Sequence, residues 1–486
     1  MAEVARPSSW AAAAQREALL PRLVHLLPSA LDAVIAAYAA ALAVILATGG
    51  IDVGLLRLHE PAKPVFVLLV LVPIRVAIGG RSWLRTLLGH TTMQATAALR
   101  AALGAVPAAV ADTLFAVVTV RAATLSAAFL ANIVFEPAMP RGFTLPFANE
   151  KFVEIFVAWD SGWYWDIAAR GYYFRPDAQS SIAFFPLYPL LMRAAAAPFG
   201  GGAAATWVAG IVISLVAYLL ALVAIHRFTE RLFESREVAR RTVLYIAVFP
   251  WSLFLARVYA ESVFLLTSVL ALSRAWNGRW WQAGIWGALA ALTRPNGILI
   301  ALPLALLALR DSPSLRALAS RWALLAPIPA AFAGFCLYVY TLTGDPLGWM
   351  AAQAHWGYSL GHPPWEQLLR LISGVFEYGP YGFFFTSEIV PFEVLHAAPA
   401  LVFLALTPLI FRRLGVAMGA YVLVSLLVPL SSNTLEGLGR YASVLFPAFM
   451  LVASITTQRA HEAIVIVSLV FRTLLICFFV TWHPIY

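Results

Sequence analysis

Two aspartates lie within a short aromatic segment in the first half of the chain. Asp160 and Asp166 are six residues apart in the stretch 159–168, which begins with Trp159 and also contains Trp163. A carboxylate in a partly apolar cleft can act as a general base, because desolvation raises its pKa towards working pH. Aromatic rings beside it can stack on the apolar face of a sugar. The same residues could instead form an interfacial aromatic belt with helix-capping aspartates.

Three further charged residues border or interrupt apolar stretches. Glu261 follows Arg257 by four residues, Arg294 lies in the segment 293–297 (TRPNG), and Arg440 ends the polar turn 431–440. The planar fork of arginine binds phosphate through two parallel hydrogen bonds, and fixed cations aimed at developing charge contribute strongly to catalysis. Two alternatives remain open: Glu261 could pair only with Arg257, and the arginines could be interfacial anchors.

A second polar segment, 343–395, contains His355 and Trp356, which could bind a sugar. The spacing of His355, His362 and Glu366 fits no standard zinc site. The chain also has no Asp-x-Asp pair to hold a divalent cation beside a phosphate. We therefore predict neither a metal nor a cofactor.

The composition excludes most classes of soluble protein. Of 486 residues, 62% are hydrophobic and only 12% are charged, about half the charge of a soluble domain. The formal charge of +9 arises from arginines in short loops, so we expect no nucleic-acid partner. Cys336 and Cys477 both lie in apolar runs, which argues against a disulfide framework. We read no cleaved signal peptide at the N-terminus.

Apolar runs predict an all-α polytopic membrane protein with about 11–13 spanning helices. A further run, 282–309, is interrupted by Pro295-Asn296-Gly297, which predicts a break into two short passes. The predicted spans are roughly 30–48, 64–80, 108–134, 205–226, 242–257, 259–274, 322–342, 396–411, 415–430, 441–457 and 463–482.

Arginine-rich loops fix the predicted orientation. Loops around 226–241, 274–279, 310–321 and 412–413 carry the arginines and should stay cytoplasmic. This threading needs about 13 passes, with the N-terminus inside and the C-terminus outside. It puts the polar segments 135–183 and 343–395 outside, together with Asp160, Glu261, Arg294 and Arg440.

Four sequence motifs, in order between residues 159 and 447, resemble the signature of the PIG-V family of mannosyltransferases. They are Trp159-Asp160 with Ile167-Ala168, Gly171-Tyr172 and 183–189 (AFFPLYP); 259–262 (YAES); 291–297 (ALTRPNG); and Arg440-Tyr441 with Phe446-Pro447. The two predicted helices before residue 100 are not part of the signature. Trp163 stands where eukaryotic members have a histidine, which bears on the acceptor.

The resemblance implies a GT-C glycosyltransferase, a fold in which a large first outer loop carries a catalytic Asp. Such enzymes take a sugar from a polyprenyl-phosphate donor on the outer face. The catalytic position matches Asp160, with Asp166 as second choice. On this basis Arg294 and Arg440 are expected to bind the donor phosphate, with Glu261 in support. The residues expected to contact sugar or acceptor are Trp159, Trp163, Tyr172, Tyr188, His355 and Trp356.

The sequence is thus interpreted as an inner-membrane mannosyltransferase whose active site faces the periplasm or cell exterior. It would transfer one mannose to a lipid- or surface-linked acceptor by an inverting, metal-independent mechanism. Residues 1–100 would form an N-terminal region with two extra helices, and residues 101–486 the catalytic module. Two alternatives remain: a transporter or lipid flippase, and a GT-C enzyme that uses another sugar or a protein acceptor. Transporters often contain matched broken helices in two halves, and only one break is evident here.

Overall fold

The computed structural model describes residues 106–140, 142–147, 150–385 and 391–485, with short stretches between residues 31 and 58 and residue 71. The chain divides into two compact units, Met1–Pro107 and Ala108–Tyr486. In the first unit, residues 31–35 are helical, and β1 (Ile51–Val53) pairs with β2 (Leu56–Leu58) as an antiparallel hairpin. The predicted span 64–80 lies outside the described residues, apart from residue 71.

In the described residues of the second unit, the regular elements are helices joined by loops, and an isolated β-bridge pairs Leu360 with Ser432. Short 3-10 turns connect several helices, and two of these turns, Pro250–Ala256 and Pro295–Ile300, position the site described below. The helices are α1 (Ala108–Val134), α2 (Ser161–Arg170), α3 (Leu187–Ala196), α4 (Ala203–Phe233), α5 (Arg236–Val248), α6 (Glu261–Trp276), α7 (Trp280–Ala291), α8 (Ala301–Asp311), α9 (Leu315–Leu325), α10 (Pro327–Thr343), α11 (Gly348–Ala354), α12 (Glu366–Phe385), α13 (Pro391–Leu414), α14 (Val416–Leu430), α15 (Leu438–Ser443), α16 (Phe446–Ile455) and α17 (Gln458–Val480), with one further four-residue turn at Glu150–Val153.

The chain is a multi-pass membrane protein. Within the described residues, five helical stretches are long and apolar enough to cross a membrane, and a bent pair would make six. The five are Ala108–Val134, Ala203–Phe233, Leu315–Thr343, Val394–Leu414 and Gln458–Val480. Other predicted spans are shorter than the roughly 20 residues of a full crossing, as for α6 and α14. The count of 11–13 therefore stays a prediction.

The predicted span 242–257 is not one straight helix, because the chain bends by 85° between α5 and the turn Pro250–Ala256. Pro250 has no backbone N–H and cannot continue the helix. Three arginines donate to carbonyl oxygens of this bend. Arg257, which directly follows the turn, donates through Nη1 to Leu253 at 2.6 Å. Two arginines from distant helices also donate: Arg472 Nη1 to Phe249 at 3.0 Å, and Arg121 Nη2 to Ala256 at 3.2 Å. We call Arg121, Arg257 and Arg472 the carbonyl cluster.

The predicted break in 282–309 is confirmed. Helix α7 ends at Ala291, the 3-10 turn Pro295–Ile300 follows, and α8 then runs back from Ala301. Gly297 permits this close return, since a Cβ there would lie 2.0 Å from the carbonyl oxygen of Ala290. Because α6 and α7 are antiparallel neighbours, Arg294 returns to the end of α6 where Glu261 lies, 3.4 Å away.

Candidate active site

The loop that carries Asp160 is held by a tyrosine from the second motif. The Tyr259 hydroxyl donates to the carbonyl of Ala158 and accepts from the backbone N–H of Asp160, both at 3.1 Å. Between them, Trp159 has φ of 55°, a left-handed conformation that is uncommon for a bulky residue. This arrangement places Asp160 immediately before α2. Its side chain makes no capping hydrogen bond, so the helix-capping alternative does not describe it.

Arg440 joins two carboxylates that are far apart in sequence. Its Nη1 donates to Asp160 Oδ2 at 2.8 Å, while Nε and Nη2 both lie 2.8 Å from Glu261 Oε1. Arg294 Nη1 approaches the same Glu261 oxygen at 3.4 Å. We call Asp160, Glu261, Arg294 and Arg440 the paired cluster. With two carboxylates and two guanidinium groups, it is formally neutral.

Three members of the paired cluster are buried and Asp160 is half-buried, and the cluster borders a cavity. Glu261 is fully enclosed at the N-terminus of α6, where the helix dipole favours a negative charge. Burial by itself lowers the pKa of Arg440, but Glu261 and Asp160 more than offset this and raise it well above its usual value. Arg440 is therefore a permanent cation. Its guanidinium also lies over the rings of Phe254 and Tyr259, 4.9 Å from each centroid.

The cavity has a volume of about 690 Å³. Asp160, Arg294 and Arg440 line it, whereas Glu261 lies behind them. Of the residues predicted to contact sugar or acceptor, four also line it, namely Trp159, Trp163, His355 and Trp356.

Aromatic rings form one wall of the cavity. Trp163 stacks on Phe184 with ring centroids 5.7 Å apart and an interplanar angle of 13°. Trp356 meets Trp163 edge-on at 5.1 Å. His355 Nε2 contacts the carbonyl of Pro176 at 3.3 Å, which ties the second polar segment to the first. This wall can take the apolar face of a sugar.

Three other predicted residues lie away from the cavity wall. Tyr172 donates to the carbonyl of Phe184 at 2.8 Å, and its ring packs on α10. Tyr188 is fully buried against α4, 2.7 Å from Ser214 Oγ. Asp166 forms an ion pair with Arg170 at 3.1 Å. Both tyrosines pack internal surfaces, so we omit them from the sugar contacts proposed below.

Sequence reasoning missed several residues next to the paired cluster. Tyr441 carries its ring beneath Arg294, 4.8 Å from the guanidinium carbon. Tyr164, Tyr358 and Glu436 also line the cavity. Tyr259 and Tyr441 belong to two of the sequence motifs, but only the charged residues of those motifs were predicted to act in the site. Membership of the same motifs could have identified both tyrosines from the sequence.

The alternative pairing of Glu261 with Arg257 is wrong. Arg257 has extended backbone angles before α6 begins, so the two residues do not share a helix face. The suggested zinc ligands do not converge either, since His362 contacts Glu366 at 3.1 Å while His355 contacts Pro176. In the part of the chain that the structure describes, no group of three His, Cys, Asp or Glu side chains could hold a metal.

Comparison with known proteins supports the resemblance carried by the motifs. Residues 109–311 match the family model described as Mannosyltransferase (PIG-V). The match includes Asp160, Glu261 and Arg294 and ends before Arg440. It confirms the resemblance to the PIG-V family.

Two curated relatives align with part of the chain. GPI mannosyltransferase 2 of Yarrowia lipolytica is 29% identical over 160 residues, which cover 33% of this chain and 42% of the relative. GPI alpha-1,6-mannosyltransferase 2 of Mus musculus is 29% identical over 146 residues, 29% of each chain. The alignments thus span less than half the length of these relatives.

Among solved structures, the chain is similar to ArnT from Cupriavidus metallidurans bound to undecaprenyl phosphate. The TM-score is 0.43 with 16% identity, over 72% of this chain and 62% of that one. An oligosaccharyltransferase from Archaeoglobus fulgidus gives a TM-score of 0.37 with 15% identity, over 75% of this chain and 55% of the other.

Proposed function

We propose that this PIG-V-like chain is a membrane glycosyltransferase that transfers one mannose from polyprenyl-phosphate mannose to a lipid- or surface-linked acceptor. The observation that carries the proposal is the paired cluster at the edge of the cavity. A candidate base and two candidate phosphate-binding cations meet there, and three of the four cluster residues, Asp160, Glu261 and Arg294, fall within the mannosyltransferase match. The chemistry needs these groups because glycosyl transfer passes through an oxocarbenium-like state while a phosphate departs.

In the proposed reaction, the acceptor oxygen forms a bond to the anomeric carbon as the bond from that carbon to the phosphate oxygen breaks. The acceptor proton passes to Asp160, and the leaving phosphate gains one negative charge. A single displacement on a β-linked donor gives an α-mannoside. The net charge of the site is the same before and after transfer.

Arg440 links the two charge changes. Before transfer it donates to Asp160 at 2.8 Å. Once Asp160 accepts the proton, this ion pair is neutralised and Nη1 of Arg440 becomes free to donate to the new phosphate charge, while Nε and Nη2 stay on Glu261. Glu261 is fully buried and keeps its contact with both arginines throughout. We assign it a positioning role.

Next to the polar cavity lies a second one of about 360 Å³. The two share Pro295, Gln353, Tyr358 and Tyr441, and the second is lined mainly by apolar side chains such as Ile298, Leu299 and Phe332. We place the first isoprene units of the donor here and its sugar against Trp163 and Trp356.

The direct test uses the purified full-length chain with radiolabelled polyprenyl-phosphate mannose and a total lipid extract of the source. We expect transfer of label to an extract component, with weaker transfer from the matching glucose donor. No transfer, together with donor movement across a bilayer, would instead favour the transporter or flippase. Preference for glucose would favour a GT-C enzyme with another sugar.

The proposed location is the inner membrane, with the cavity on the extracytoplasmic side. In a variant with Cys336 and Cys477 changed to Ala, we expect Asp177→Cys to react with an impermeant maleimide in intact cells. The matched variant Arg316→Cys, in the first turn of α9 and beyond the end of α8 that is far from Arg294, should react only after the cells are opened. Both positions are exposed. The opposite labelling pattern would reverse the orientation.

A further inference from the structure

A separate concave site, distinct from the two cavities above, lies at the opposite end of α6 from Glu261. Arg274 is 13 residues further along the helix, a separation of about 20 Å at 1.5 Å per residue. The site is a pocket of about 520 Å³ between the C-terminal parts of α4 and α6. We call it the arginine pocket; its polar lining residues are Arg227, Arg231, Ser273, Arg274, Asn277 and Arg279.

The arginine pocket carries a large excess of positive charge. Four guanidinium groups line it, and none of its lining residues is acidic. The C-termini of α4 and α6 offset this only slightly, since each contributes roughly half a negative charge. About three positive charges therefore remain uncompensated at the pocket.

Hydrogen bonds within the pocket hold some of these groups in place without neutralising them. Arg231 Nη1 donates to Asn277 Oδ1 at 3.3 Å, and its Nε donates to the carbonyl of Arg227 at 3.2 Å. Arg274 Nε is buried and has no hydrogen-bond partner within the described residues. A multiply charged anion with several acceptor oxygens, such as a phosphate group, matches these donors.

An apolar stripe on α4 leads to the pocket. Val208, Val212, Val216 and Leu220 are each 48–53% exposed and repeat every four residues, so they share one face of the helix. Arg227 follows Leu220 by seven residues, two helical turns further along the same face. The stripe covers about 18 Å, a length suited to an acyl chain.

We propose that the arginine pocket binds the phosphate headgroup of an anionic phospholipid, whose acyl chains lie along the α4 stripe. Basic pockets between membrane helices are suited to lipids with acidic headgroups. The stripe favours a membrane lipid over free phosphate, because free phosphate would gain nothing from it. The proposal does not depend on the transfer reaction. With the cavity on the extracytoplasmic side, the pocket would lie in the cytoplasmic leaflet.

The test compares full-length protein in neutral detergent with added phosphatidylglycerol, phosphatidylcholine or inorganic phosphate. We expect phosphatidylglycerol to raise the thermal midpoint and to remain bound in native mass spectra, unlike the other two. The double variant Arg231→Gln/Arg274→Gln should bind it about tenfold or more weakly. The control Arg412→Gln/Arg413→Gln removes two exposed arginines from another loop and should bind normally.

Three results would overturn the proposal. Equal stabilisation by inorganic phosphate would indicate a soluble anion as the ligand. Unchanged phosphatidylglycerol binding in the pocket variant, or equal loss in the control, would show that the pocket is not the binding site. If the double variant fails to fold, Arg274→Gln alone, read by native mass spectrometry, answers the same question.

Discussion

Two groups of largely buried arginines lie around the chain from the bend at Pro250–Ala256 to Glu261, and their guanidinium groups have different kinds of partner. In the paired cluster, Arg294 and Arg440 face the carboxylates of Glu261 and Asp160. In the carbonyl cluster, each arginine donates to a backbone carbonyl oxygen. Among the described residues, no ion pair involves a member of the carbonyl cluster.

We infer that the difference separates a group of residues that could react from one that supports the fold. A carboxylate can take up a proton and release its arginine, whereas a backbone carbonyl cannot change its charge. The paired cluster also borders the cavity, while Arg257 and Arg472 are only 1% exposed. We infer that the carbonyl cluster fixes the bend that leads into Tyr259 and Glu261, and that the paired cluster performs the chemistry.

The largest effect is expected for Asp160→Asn, which keeps the shape and removes the proton acceptor. General-base catalysis contributes roughly 10²–10⁴-fold, so turnover should fall by that order. Donor affinity, measured with a non-transferring assay, should change little. Asp166→Asn is the matched control, because Asp166 pairs with Arg170 outside the cavity. Near wild-type turnover in Asp160→Asn would move the base to another carboxylate.

A smaller effect is expected for Arg294. A hydrogen bond between charged groups contributes about 1.5–3 kcal/mol, so Arg294→Ala should reduce kcat/KM by roughly ten- to a hundredfold. Arg294→Lys keeps the charge but loses the two-pronged geometry, and should lose less. In steady-state kinetics, kcat/KM for the donor should fall more than kcat/KM for the acceptor. Equal losses for donor and acceptor would assign Arg294 to general positioning rather than to phosphate binding.

The carbonyl cluster should respond differently. Arg472→Met removes a donor to Phe249, but it also removes a buried charge that lacks a carboxylate partner. These effects oppose each other, so turnover per folded molecule should stay within about threefold of wild type. Thermal unfolding and Arg472→Lys serve as controls for folding. A loss of turnover as large as that of Arg294→Ala would show that the two clusters do not differ in function.

Chelation should have the smallest effect. Because the phosphate charge is assigned to Arg294 and Arg440, activity in EDTA should equal that of untreated enzyme. If EDTA abolishes turnover and Mn²⁺ or Mg²⁺ restores it, the two arginines alone do not account for the binding of the phosphate. The paired carboxylates Asp160 and Glu261 would then be the first ligands to test.

The sequence predicted local features well and long-range pairing poorly. The break at Pro295-Asn296-Gly297 followed from backbone chemistry, and the structure contains it. The pairing of Arg440 with Asp160 joins residues 280 positions apart, so only the packed helices reveal it. The i, i+4 spacing of Arg257 and Glu261 suggested an ion pair that the structure lacks, because Arg257 precedes the helix and donates a hydrogen bond to the carbonyl of Leu253. The presence of an aromatic residue in a motif likewise did not distinguish a ring that is buried in the core, such as that of Tyr188, from a ring that lines the cavity, such as that of Trp163.

The stereochemistry of the product tests the central claim most directly. The account gives Asp160 the acceptor proton and assigns no residue as a nucleophile, so transfer is a single displacement with inversion at the anomeric carbon. Purified full-length chain would be given β-linked, radiolabelled polyprenyl-phosphate mannose and source lipids, and the product digested with linkage-specific mannosidases. The account predicts that α-mannosidase releases the label and β-mannosidase does not. A β-linked product would contradict it, because retention requires a covalent intermediate or a different reaction.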